Sequence, residues 1–245
     1  MEKDVLNRLE KVEKRFKKLK MTFIAFVLVT VSSIITFGFS KPETFNIIRA
    51  KGIVIEDQNG KDRILIGAPI PFSKDRVRTD TTKVRKYWGK AYEDMEDQYM
   101  EWYKKYKHNA EGIVIMNEEG FDRVLLGDKL ADPNIGQRMF EVAGMLWNDK
   151  QGWELGGAGV NTTKDGKSRS IMGVDSKEGE AVHLVALEDG TKGLVINAEN
   201  GRLLIGSSKK NGNWFKNKDD FTGVKYFDKN GNLVWEQKMD KTKNK

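Results

Sequence analysis

The chain has 245 residues, no cysteine, two histidines and a formal net charge of +7. The absence of thiols excludes a disulfide framework, a thiol nucleophile and Cys-based metal sites. Of the 43 Lys/Arg and 36 Asp/Glu, eight and four lie in residues 1–20 and none in 21–40, so residues 41–245 hold 35 against 32. That near-balance excludes the concentrated basic face a nucleic-acid binder needs.

Residues 1–20 read as a charged helix. Val5, Leu9, Val12, Phe16 and Leu19 follow intervals of four and three, the a/d rhythm of a coiled coil. Two readings follow: an apolar stripe lying on a membrane surface, or a stem that drives homo-oligomers. Residues 21–39 are nineteen residues without a charge, a length suited to the roughly 20 residues of a transmembrane helix. Arg15, Lys17, Lys18 and Lys20 crowd its N-terminal side, whereas Lys41 stands alone beyond it. The positive-inside rule then predicts a cytoplasmic N-terminus, a single-pass anchor and an extracytoplasmic remainder. A cleaved signal peptide competes with this, with small residues Gly38 and Ser40 before Lys41. The apolar run exceeds the usual signal core, however, and the charged head is long. A buried core helix is the third option, disfavoured by polar flanks on both sides.

Thr44 to Ala50 is expected as a first strand. It leads into GIVIEDQNGKDRILIG, Gly52 to Gly67, which returns without a gap as GIVIMNEEGFDRVLLG, Gly112 to Gly127. Each unit reads as a β-hairpin: two short apolar runs around a polar turn, with Asn59-Gly60 a strong turn signal. Three consecutive apolar residues point to both faces of a strand, which predicts strands covered on both sides. Pro69 and Pro71 stop the second strand. Within the repeat, the pairs Asp62/Arg63 and Asp122/Arg123 are the sharpest polar features. Adjacent strand residues face opposite ways, so cross-strand or turn contacts are expected of them before ligand binding. The loop around Asp57 lacks the frame and terminal Glu of a calcium site, and no metal or cofactor site is expected.

Residues 79–107 interrupt the pattern. Trp88, Tyr92, Met95, Tyr99, Trp102 and Tyr106 recur at intervals of four and three, one stripe of an amphipathic helix. Asp80 or Thr82 is placed to cap its start. The stripe either packs on the sheet or offers Trp88, Tyr92, Tyr99 and Trp102 to a glycan, lipid headgroup or protein partner. In the loop 127–136, Asp128 and Asp132 read as turn chemistry before metal binding. The Gly-x7-Gly frame returns at Gly144, Gly193 and Gly223 with fading detail: the third copy has Trp153-Glu154 for Lys61-Asp62, and the fourth lacks the Asp-Arg pair. An extra hairpin is expected within Ala181–Ile196, around Asp189-Gly190. The segment 207–220 reads as a loop, and residues 237–245 as a flexible polar tail.

The runs IRAKGIVIEDQNGKDRILIGAPIP, GFDRVLLGDKLADPNIG and EGEAVHLVALEDG resemble a family of uncharacterised bacterial membrane-anchored or exported proteins, over roughly residues 45–206. The resemblance implies an envelope location and brings no activity, cofactor or catalytic residue with it. Trp153-Glu154-Leu155 departs from the cleaner acid-Arg step of that family.

These features predict a mainly β extracytoplasmic domain over residues 41–236: antiparallel hairpin repeats forming a meander, sandwich or irregular roll, with one inserted amphipathic helix and a single N-terminal transmembrane helix. No P-loop, G-x-S-x-G, H-E-x-x-H or dinucleotide fingerprint is present, and His108 and His183 read as packing residues. The expected function is a non-catalytic envelope binding or scaffold protein. The alternative is an envelope polysaccharide hydrolase using dispersed carboxylates, which meet only in space.

Overall fold

The computed structural model describes residues 2–38, 47–136, 138–176, 179–212 and 214–239. The chain forms two compact units, Met1–Arg49 and Ala50–Lys245.

In the first unit, helix α1 (Glu2–Gly38) runs unbroken through the charged and apolar stretches. Thr22, Thr30 and Ser33 donate their hydroxyls to the carbonyls of Lys18, Phe26 and Val29, four residues back. Among the described residues no helix is long and apolar enough to cross a membrane. The side chains of residues 34–38 and the whole of 39–46, which carry part of the expected span and of the expected strand 44–50, lie outside the described residues. Residues 47–50 are described and are not in a strand.

The second unit is built on one antiparallel meander of twelve strands in sequence order. They are β1 (Gly52–Glu56), β2 (Asp62–Gly67), β3 (Glu111–Met116), β4 (Asp122–Asp128), β5 (Glu141–Asn148) and β6 (Glu154–Thr162). Then follow β7 (Ser168–Ser176), β8 (Gly179–Ala186), β9 (Lys192–Ala198), β10 (Gly201–Ser208), β11 (Phe221–Asp228) and β12 (Leu233–Lys238). The extra hairpin expected around Asp189-Gly190 is β8–β9. The polar residues expected in the tail contribute to β12 as far as Lys238, because the Val224 and Gly223 positions of β11 still have partners to pair there.

One turn recurs at the hairpin tips. In the first, Asp57 N–H donates to the Lys61 carbonyl, Gly60 N–H donates to the Asp57 carbonyl, and Asp57 Oδ1 accepts from Asn59 and Lys61 N–H. Gly60 takes φ +71 there, a conformation that glycine adopts without strain. Turns 117–121, 149–153 and 228–232 repeat the backbone pair, and the ladder steps by one residue just after each, a bulge. The other repeated glycines face one another across the strands: Gly52, Gly67, Gly112, Gly127, Gly144 and Gly159 form one row. A Cβ on Gly112 would meet the Leu126 carbonyl oxygen at 2.0 Å, so the frame seen in sequence is a line of close backbone approach.

The two faces of the sheet differ. On one face a single row crosses all twelve strands: Val54, Leu65, Val114, Leu125, Leu146, then Gly157, Gly173, His183, Val195, Leu204, Lys225 and Glu236. Loops and the 70–107 insert cover much of it, while Val54 and Glu236 on the two edge strands are exposed. Leu65, Val114, Leu125 and Leu146 pack with Ile70, Leu130 and Val142, and Val195 and Leu204 pack with Phe215, Phe221 and Phe227. The opposite face carries two apolar rows with no such cover: Ile53, Ile55, Leu126, Met172, Val174 and Leu184 are all exposed. The expectation of strands covered on both sides is therefore corrected, because the meander stays a single layer.

The insert is also corrected. It is not one helix but α2 (Thr81–Tyr87), a 3-10 stretch Gly89–Met95 and α3 (Glu96–Tyr103). Asp80 caps α2 through Thr82 and Lys83 N–H. The break follows Gly89, with Glu93 at φ 48, and the aromatic residues of the insert pack on Phe121 and Trp153 at the hairpin tips instead of on the strands.

Candidate functional site

Every third-copy departure noted in the sequence falls at one place. Register aligns Ile64, Leu65 and Ile66 of β2 with Gly156, Gly157 and Ala158 of β6. Where hairpins one and two bury Leu65 and Leu125, hairpin three has glycine, and β7 adds Gly173 beside it. The row of core side chains is interrupted, and the gap is a groove of about 770 Å³.

One wall comes from the loop before β5. Arg138 Nη2 donates to both oxygens of Glu154 at 3.0 and 2.9 Å and lies near Asp132, whose Oδ2 is 3.6 Å from Nη1. Glu154 N–H donates to Asn134 Oδ1. Burial raises the Glu154 carboxyl above its ordinary value, and Asp132 and Asp175 add to this against the opposing Arg138. The other wall is His183 with Trp214, ring centroids 6.3 Å apart. Asp175 lies 4.0 Å from His183 Nε2, and Glu180 3.9 Å from Nδ1. Asp175 is the main cause of the raised imidazole value, which burial opposes and Glu180 supports. Trp153 closes one end. With Asp149, the groove has five carboxyl groups against Arg138 and His183, so its field is acidic.

The expected ligand-binding aromatics stand behind this groove. Trp88 and Tyr99 are wholly buried; they form a cluster with Val77, Val84, Tyr103 and Phe121, with Tyr92 and Trp102 partly buried against it. Burial removes Trp88 and Tyr99 from any surface ligand. The cluster instead supports Trp153, whose ring lies 6.3 Å from Tyr92. Arg78 sits over the Trp88 ring at 4.1 Å and donates to the Gly152 carbonyl at 2.9 Å, fixing the turn that carries Trp153. The buried Tyr103 hydroxyl donates to the Arg78 carbonyl.

The repeat polar pairs separate as adjacent strand residues should. Asp122 is buried and accepts from Arg76 Nε and Nη2 at 2.8 and 2.7 Å. Burial would raise its carboxyl, but Arg76 and Arg78 hold it below the ordinary range. Arg123 Nε donates to the Asn148 carbonyl at 3.1 Å. In the first hairpin Arg63 pairs with Asp57 and donates to the carbonyls of Asn117 and Glu118, while Asp62 N–H donates to Asp75. Each arginine thus ties its hairpin to the next, Arg63 at the turn and Arg123 at the end of β5. Asp128 and Asp132 serve turns, accepting from Lys129 N–H and from Asn134 and Ile135 N–H. No cluster of metal-ligating side chains occurs among the described residues.

Reading the sequence alone missed Gly157, Gly173, His183 and Trp214. The signal for the first was available: ELGGAG stands where the repeat has DRILIG or DRVLLG. No family model, curated protein or solved structure matches the chain.

Proposed function

We propose that this is a non-catalytic binding protein of the bacterial envelope, held on a single-pass anchor at residues 21–39 and taking a neutral or amine-bearing glycan in the groove over β5–β8. The observation that carries the reading is the glycine gap between the buried Leu146 and Val195 of one row, walled by Trp153, Trp214 and carboxylates. Tryptophan faces stack on sugar rings and attract cations, and the few converging polar groups fix orientation. Five carboxyl groups oppose phosphate-bearing polymers. The anchor reading rests on the uncharged run and on the basic residues before it. The hydroxyls within α1 already donate to backbone carbonyls, as an apolar solvent would demand.

Titration calorimetry of the full chain with chito-oligosaccharides tests this reading. Binding that weakens about tenfold or more in Trp214→Ala, roughly 1.4 kcal/mol, supports it; equal affinity for wild type and Trp214→Ala would remove the groove from the account. Glycan hydrolysis is the second reading, favoured by the raised Glu154 carboxyl as general acid. Both Glu154 oxygens are engaged by Arg138, which favours binding. Product release by the wild type that Glu154→Gln abolishes while binding persists would reverse that preference.

A further inference from the structure

The open face of the sheet carries two rows of twelve residues. One runs from Ile53 through Met145, Ala158, Met172 and Leu184 to Gln237, and the other from Ile55 through Trp147, Gly156 and Val174 to Trp235. None of these residues is Asp, Glu, Lys, Arg or His. A solvated sheet face normally alternates to polar residues, and apolar patches this long mark interaction sites. We propose that this face is covered by the same face of a second copy, related by a twofold axis that runs parallel to the strands between β6 and β7.

Three observations select a second copy. The first is size. Eleven strand intervals make a strip about 53 Å long, and two rows make it about 13 Å wide, hence about 700 Å² per copy; a standard specific interface takes about 800 Å² per partner.

The second is shape. The axis lays β7 over β6 of the partner, so Met172 stands over Ala158 of the partner, and the same contact recurs in reverse, as an isologous interface requires. Methionine is suited to filling such a hollow. The third is charge. Two residues outside the apolar rows on the same face, β4 ends in Asp128 and β9 begins with Lys192. The axis lays β4 over β9 of the partner, which sets Asp128 beside Lys192 of the partner twice. Twisted sheets packed in this way cross at about 30°, which the long lysine side chain accommodates.

The groove opens on the opposite face, the one that carries Gly157, Gly173 and His183, so such a dimer leaves both grooves outward and available to one polymer, with the gain in effective concentration that follows. This goes beyond the glycan reading and does not depend on it.

The chain has no cysteine, so one introduced cysteine is unique. Across sheets about 10 Å apart, Met172→Cys in the full chain in membranes is expected to give a dimer with a short bismaleimide, and Asn230→Cys none, because it lies at the β11–β12 tip, where the axis sets the two copies about 48 Å apart. Adding Leu184→Lys at a 57% exposed position is expected to cut the Met172→Cys dimer at least about tenfold by burying a charge, with the far-ultraviolet spectrum unchanged. A Met172→Cys protein that stays monomeric overturns the proposal, and so does a dimer indifferent to Leu184→Lys. A monomer purified with stoichiometric lipid would assign the face to acyl chains and equally overturn it. Dimers formed through residues 5–19 would not cross-link at position 172.

Discussion

Hairpins β3–β4 and β5–β6 share a turn, a register and a bulge, yet they put different residues at the same places. Leu125 of the first is buried with Leu130 and Val142; Gly157, its counterpart, floors a groove. Asp122 of the first is buried between two arginines of the insert; Glu154, its counterpart, meets Arg138 at the groove wall. A repeat fold can therefore make a site by subtraction: the frame of turns and close glycine contacts holds the strands in place while one copy gives up its core side chains. The acid after the turn is kept in both hairpins and changes its use.

The largest effect should come from breaking the buried side of this comparison. Asp122→Ala leaves Arg76 and Arg78 buried without their carboxylate and is expected to cost about 3–5 kcal/mol in urea unfolding. Asp62→Ala, at the same place in the first hairpin, should cost less than about 1 kcal/mol because that site is partly solvated. Equal costs would mean that the buried pair is not what holds the insert.

Leu125→Ala comes next. It opens a cavity in the first apolar cluster and should cost about 2–5 kcal/mol. The reverse change in the third hairpin also destabilises. A Cβ at Gly157 would lie 2.6 Å from Leu146 Cδ2 and 2.9 Å from the Met145 carbonyl oxygen, so Gly157→Ala should cost about 1–3 kcal/mol by overpacking. A neutral result in the same unfolding series would show that the strand has room and that the groove floor is not fixed by glycine.

The mildest change is at Gly173. Its added Cβ would sit 3.1 Å from the His183 ring, which must shift slightly. Gly173→Ala is expected to leave the melting temperature within a few degrees, about 1 kcal/mol or less, while weakening glycan binding in calorimetry. The pH dependence of His183 has a defined sign. Its folded value is raised above 6.5, chiefly by Asp175. Its contribution to stability is then complete below that ordinary value and is lost as pH rises through the folded one. His183→Gln should flatten stability over that window; an unchanged pH profile would detach the imidazole from Asp175.

Much of the fold was legible because the repeat states it directly. The glycines, turns and apolar triplets specify hairpins but left a meander, a sandwich and a roll open, and the strand order is that of the meander. Which face is covered was not legible, since Ile53-Val54-Ile55 is written like Ile113-Val114-Ile115; yet Val54, on the edge strand, is 42% exposed and Val114 is wholly buried. Identical residues differ here only by what lies beyond them. The aromatic stripe misled for a related reason: regular spacing reports a helix and hides a break, and Gly89 was the visible warning. His183 and Trp214 meet through strand order and a loop 31 residues on in the chain, a proximity that no local pattern encodes.

Hydrogen–deuterium exchange on the full chain, with and without a saturating chito-oligosaccharide, tests the central claim most directly. Protection confined to residues 132–186 and the 209–220 loop, which line the groove, is the predicted result. Protection centred on the aromatic insert at 81–103, or none anywhere, would contradict a binding groove made by the glycines of the third hairpin.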